Sequence, residues 1–254
     1  MSVGTAGGEA YIKLLLTSRR TLRLIASAAA LWGAAVLVWA QGGMDKAVQI
    51  AHNPLREVPF LAGAARALST YGMAFCVLVY LIILALSFKF DGLKDVRKVY
   101  PLVLLSFAFA GIAGDLSKGV FGRPRPFVRY AGEIIPVFRP DSSSMPSGHT
   151  AKAFALTLPF LIFAAGKKKW RASLKVFFLF TASAIAYSRI VLGVHDLSDI
   201  LAGIGTALLF LPIAAAAANA IYKERRLTDA GLGRLSAACG LVMLGLIYYL
   251  IHYS

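Results

Sequence analysis

Residues 172–218 read ASLKVFFLFTASAIAYSRIVLGVHDLSDILAGIGTALLFLPIAAAAA, and this stretch decides the fold. It holds two apolar runs, 172–190 and 197–218, each close to the roughly 20 residues a helix needs to cross a hydrocarbon core. The polar groups gather in the break between them: Ser188, Arg189, His195 and Asp199. Working outward, five further runs lie at 22–40, 71–88, 101–117, 150–165 and 235–252. The run at 150–165 is short, and the last begins beside Arg234. Connections are short except at 41–70 and 118–149, and there is no internal repeat. The Ala-rich stretch 214–218 suits close helix packing. The pattern predicts an all-α, polytopic transmembrane helical bundle forming one membrane-embedded domain over 1–254.

Composition agrees. The chain is 58% hydrophobic and 15% charged, against roughly 25% charged in soluble domains. Its net charge of +15 is interrupted by long apolar runs and carries no nucleic-acid signature, so the expected partner is anionic lipid and nucleic acid is not expected. Cys76 and Cys239 each sit in an apolar run, with no Cys/His cluster for a metal and no disulfide framework. The first run follows Lys13, Arg19, Arg20 and Arg23. It is longer than a signal-peptide core, which favours a retained anchor over a cleaved leader.

With a cytoplasmic N-terminus and seven crossings, 17 of the 27 Lys and Arg fall inside, in keeping with the positive-inside rule. The inside set includes Lys167, Lys168, Lys169, Arg225 and Arg226. The outside residues concentrate in and around 118–152, where topology gives them no reason to be. Something anionic on that face supplies one.

Three motifs carry chemistry. Six residues separate Lys118 from Arg125-Pro126; Pro146-Ser147-Gly148-His149 opens the fourth run; and Ser188-Arg189 is followed by His195 and Asp199. The 38 residues between His149 and Ser188 suffice to cross inward, turn and return, so parity puts all three motifs on the outer face. Phosphoryl transfer rests on positioning and electrostatic stabilisation. Lys118, Arg125 and Arg189 are three cations, and arginine grips two phosphate oxygens at once. Ser147 and Gly148 precede a helix, whose free N–H groups favour an anion. Each hydrogen bond to a charged group is worth about 1.5–3 kcal/mol, so several hold a phosphate without a metal. His195 and Asp199, four apart, share a helix face. The carboxylate can orient the imidazole for attack on phosphorus, leaving His149 to protonate the departing oxygen.

These three motifs, in this order, resemble the signature of the type-2 phosphatidic acid phosphatase superfamily, covering residues 118–199. The resemblance implies six core spans, making 235–252 an additional C-terminal helix. It implies a metal-independent, cofactor-free lipid phosphatase of the bacterial inner membrane, with its site facing the periplasm or exterior. In it, Lys118, Arg125, Ser147, Gly148 and Arg189 bind phosphate, His195 is the nucleophile, Asp199 orients it, and His149 is the general acid. Substrates by this analogy are anionic phospholipid, isoprenoid or glycolipid phosphates: polyprenyl pyrophosphate, phosphatidylglycerophosphate, phosphatidic acid or the 1-phosphate of lipid A.

The chain departs from the pattern at Arg123-Pro124, which duplicates the Arg-Pro pair although spacing favours Arg125, and at Asp196, an acid beside His195. Asp115 reads as an ion partner of Lys118 or a tuner of its charge. Lys152, one turn past His149, either reaches the headgroup layer or contacts a second anionic group. His52 and His252 belong to no motif and read as structural. The 41–70 segment reads as a connector or an interfacial stretch. Two other functions remain: a lipid-to-lipid phosphotransferase using the same histidine, and a transporter. Against transport, the charged groups gather at helix ends rather than mid-membrane.

Overall fold

The computed structural model describes residues 2–6, 9–13, 18–163, 169–224 and 229–253. Lys167, Lys168, Arg225 and Arg226, which the charge pattern places inside, lie outside these residues. A short antiparallel hairpin, β1 (Ser2–Ala6) and β2 (Glu9–Lys13), precedes the helices. The long helices are α1 (Ser18–Gln41), α3 (Pro59–Lys89), α4 (Tyr100–Phe121), α7 (Lys169–Val191), α8 (Leu197–Glu224) and α9 (Asp229–Tyr253). Shorter ones are α2 (Gly43–His52), the single turn α5 (Pro126–Arg129) and α6 (Gly148–Phe163), with 3-10 turns at Asn53–Glu57 and Asp91–Val99.

Among the described residues, six helices are long and apolar enough to cross a membrane. The 16-residue α6 is about 24 Å long at 1.5 Å per residue, less than the roughly 30 Å hydrocarbon core. Beyond His149 and Lys152 in its first turns it is almost wholly apolar, and it is largely buried against α4, α7 and α8. α1 lies along α8, while α3 packs on α7 and α9. The C-terminal helix is therefore an addition on the α3 side.

Hydroxyls in so dry a core require partners. Tyr80 donates to the Leu156 carbonyl (2.7 Å), Tyr100 donates to the Tyr80 carbonyl (2.8 Å), and the Tyr80 ring stacks on Phe178. Ala214, Ala215 and Ala218 turn into the bundle. Leu37, Leu116, Val120, Phe180 and Leu241 remain on the outer surface, the side a bilayer would cover. Cys76 and Cys239 are free and buried. His52 and His252 each bond the carbonyl one turn back.

The 41–70 segment differs from its expected form. It contains α2, a 3-10 turn and the first turns of α3, which starts at Pro59 rather than near 71. Pro59 pre-sets φ at the first helical position, and only Gly63 weakens the run that follows. Nor is α2 a plain connector: Asp45, Gln49 and Asn53 are buried, while Met44 and Ile50 point outward.

Candidate active site

The last turn of α4 carries Lys118, and Gly122, in the left-handed region (φ 54°), closes that helix with its N–H on the Lys118 carbonyl (3.0 Å). Pro124 then bars continuation of α4, and Pro126 stands at the first position of the single turn α5. Arg125 is extended (ψ 160°). Residues two apart on a regular extended backbone would share a face, yet the two arginines part company. Arg125 turns to a cavity, whereas Arg123 turns into the protein between Asp45, Asp196 and Asp199.

That cavity, of about 640 Å³, is lined by Lys118, Arg125, Gly148, His149, Arg189 and His195, and also by Arg66, Asp115, Lys152 and Tyr249. Three elements from distant parts of the chain thus end at one place. α8 can cross the start of α6 closely because residue 203 is glycine: a Cβ there would lie 2.8 Å from the Ser147 carbonyl oxygen and 2.9 Å from Thr150 Cβ.

Arg125 is pinned by donating to the Ser142 carbonyl (2.8 Å), the Ser142 hydroxyl (2.9 Å) and the Val194 carbonyl (2.9 Å). Arg189 donates to the Ser69 hydroxyl, its Nε has no hydrogen-bond partner among the described residues, and Phe138 lies against its guanidinium. Both arginines are at most 5% exposed, and among the described residues no carboxylate is in ion-pair range of either. A buried charge without a partner is costly, and an anion in the cavity would offset it.

His195 sits between α7 and α8. Its backbone N–H, like that of Val194, donates to the Arg189 carbonyl (3.2 Å). Its Nδ1 lies 3.4 Å from Asp199 Oδ2, and its Nε2 lies 3.4 Å from an Arg125 nitrogen. Asp199 cannot swing away, because it also accepts from the Ser144 hydroxyl, the Asp196 N–H (2.8 Å) and Arg123. Such a carboxylate favours the tautomer with hydrogen on Nδ1 and a lone pair on Nε2. Burial, outweighing the attraction of Asp199, pushes the His195 imidazole down to about 3. Its resting form at neutral pH is therefore the neutral imidazole.

Other expected residues find varied places. Ser147 is buried and caps α6: its N–H donates to the Asp199 carbonyl (3.0 Å), and its hydroxyl accepts from Thr150 Oγ1 (3.0 Å). It does not line the cavity, which leaves Gly148 as the member of that pair that does. Asp115 pairs with Lys118 (3.3 Å) and approaches Lys152 (3.7 Å). Asp196 turns from the imidazole to Arg129 (2.7 Å) and Arg123 (3.1 Å). Sequence reasoning missed Asp45, Gln49, Asn53 and Ser144. The first three carried a faint signal, being polar residues spaced four apart.

An apolar helical bundle with this cavity at the ends of its helices is the framework of a membrane-embedded lipid phosphatase. Residues 99–223 match the sequence profile of the PAP2 superfamily. The chain is 28% identical over 176 residues to an undecaprenyl-diphosphatase from Sulfolobus acidocaldarius, covering 68% of this chain and 80% of that one. Its fold is similar to the crystal structure of a transmembrane PAP2-type phosphatidylglycerolphosphate phosphatase from Bacillus subtilis. That likeness has a TM-score of 0.55 at 22% identity, covering 78% of this chain and 94% of the other. The chain belongs to the PAP2 superfamily.

Proposed function

We propose that the protein removes the terminal phosphate from a lipid diphosphate at the outer face of the membrane, without a metal, through a phosphohistidine on His195. The observation that carries this reading is the pair of buried, carboxylate-free guanidiniums, Arg125 and Arg189, beside an oriented neutral imidazole. His195 Nε2 attacks phosphorus; the N–P bond forms as the P–O bond to the lipid breaks, and His149 gives its proton to the leaving oxygen. Water then attacks the phosphohistidine and returns a proton to His149. Inorganic phosphate leaves and His195 is restored. Lys118, Arg125, Arg189 and the Gly148 N–H take up the charge on the equatorial oxygens, the task a metal performs elsewhere. The placement of basic residues along the sequence supports an outward site and a cytoplasmic N-terminus.

The preference for a diphosphate rests on two cations beyond those needed for one phosphate: Arg66 and Lys152 line the same cavity. The test is free-phosphate release in detergent from a polyprenyl diphosphate, phosphatidylglycerophosphate, phosphatidic acid and lipid A 1-phosphate, with phosphorylated acceptor lipid measured in parallel. The diphosphate is expected to have the highest kcat/KM. Replacing Arg66 and Lys152 together by alanine lowers it by about tenfold or more, the worth of one charge-assisted hydrogen bond, and spares monophosphates. Orthovanadate inhibits, and chelators do not. Dependence on added Mg²⁺ contradicts the mechanism.

His149→Ala is expected to slow release from lipid substrates by about 10²–10⁴-fold, the usual worth of a general acid. The loss is much smaller with p-nitrophenyl phosphate, whose leaving group departs without a proton. Equal losses on both substrates would remove His149 from that role.

A further inference from the structure

The structure assigns to α2 and the turn after it a role in holding the nucleophile: Asp45, Gln49 and Asn53 are positioning residues for His195. The three are four apart, so they form one stripe on one helix face, and all are buried. Each grips the short chain segment that carries His195 from the end of α7 to the start of α8. Asn53 Nδ2 donates to the Val191 carbonyl (3.1 Å). Gln49 Nε2 donates to the carbonyl of His195 itself (2.6 Å). Asp45 accepts from the Ser198 N–H (3.0 Å) and hydroxyl (2.6 Å). It thereby caps the first turn of α8, whose N–H groups have no partner within the helix.

Two details show that the fit is built. Gly193, in the left-handed region (φ 71°), lies in this segment, and a Cβ there would come within 2.8 Å of Asn53 Nδ2 and 3.0 Å of the Ile135 carbonyl oxygen. Asn53 also joins the 118–149 loop, through Nδ2 to the Ile135 carbonyl (3.1 Å) and Oδ1 from the Ile135 N–H (3.0 Å). The outward face of α2 carries Met44 and Ile50, beside a half-exposed Lys46 on Glu133, so its polar stripe points into the protein while large apolar side chains point away. This is the reverse of a soluble surface helix, and it suits a helix pressed onto the protein by lipid. Residues 43–57 lie outside the 99–223 region that matches the superfamily, so the clamp is built onto the signature from elsewhere in the chain.

Its mechanical consequence follows from the sensitivity of in-line attack to displacements of about 1 Å. Without the Gln49 bond, the His195 carbonyl is released and the imidazole swings about Asp199. The claim rests on the proposed nucleophilic role of His195, so two readouts are needed. Gln49→Met keeps the length and removes the donor; Gln49→Glu keeps the shape but places an acceptor against the carbonyl. Both are expected to lower kcat by tenfold or more with KM within about twofold, in protein that still elutes as a folded species, with Gln49→Glu the less stable of the two because it buries a carboxylate. In ¹⁵N-histidine NMR spectra, the His195 ring signals, identified by their loss in His195→Ala, are single in the wild type and shifted or doubled in both variants. Variants that keep wild-type kcat and wild-type His195 signals overturn the positioning role. A wild type that releases no phosphate overturns the phosphatase reading instead, and the ring signals still decide whether Gln49 holds His195.

Discussion

His195→Ala abolishes phosphate release, by at least about 10⁴-fold, as loss of a nucleophile does in other covalent enzymes. The protein stays folded. The imidazole contributes only one of the contacts to Asp199, which keeps Arg123, the Ser144 hydroxyl and the Asp196 N–H when the ring is gone. Wild-type and variant protein should therefore elute alike from a sizing column and unfold at similar temperatures, with orthovanadate still held by Lys118, Arg125 and Arg189. A variant that retains a tenth of the activity would show that another group attacks phosphorus.

Arg123→Leu acts in the opposite way, on stability first. The Arg123 guanidinium is fully buried and bridges Asp45 (2.7 Å), Asp196 (3.1 Å) and Asp199, tying α2, the His195 segment and α8 together. Removing one partner of a buried ion cluster costs about 3–5 kcal/mol, because the remaining charges have no other compensation. Here the residual support is partial: Arg129 stays on Asp196, and Ser198 stays on Asp45. The expected result is a large fall in unfolding temperature and poor accumulation in the membrane, with Arg123→Lys intermediate. Arg139→Leu, at an exposed site beside Phe127, should shift stability by no more than about 0.5 kcal/mol. If Arg123→Leu unfolds with the Arg139→Leu variant, the cluster is not the keystone described above.

These two arginines show how far the sequence could be read. The spacing from Lys118 favours Arg125 over Arg123, and of the two only Arg125 lines the cavity. What spacing could not reveal is the destination of the other, since Asp45 is 78 residues away along the chain. The helical bundle was legible because each span must satisfy its own backbone in lipid, which leaves a long apolar run as its trace. α2 left a fainter trace. Its ten residues are too few to span, and its polar stripe faces inward, so composition made it resemble a connector. Ser147 shows a different limit: a Ser-Gly pair before a helix suits both an anion cradle and a cap, and only the Thr150 and Asp199 contacts separate them. The pairing of Asp196 with Arg129 was equally hidden, because the sequence shows only that an acid follows His195.

The most direct measurement is a rapid quench of the purified enzyme with a lipid diphosphate labelled in its terminal phosphate. The account predicts label on the protein that is stable to alkali, lost in acid, mapped to the peptide holding His195, and absent from His195→Ala. Phosphate release from an active enzyme that never carries such label, or label that survives acid on another residue, would contradict it.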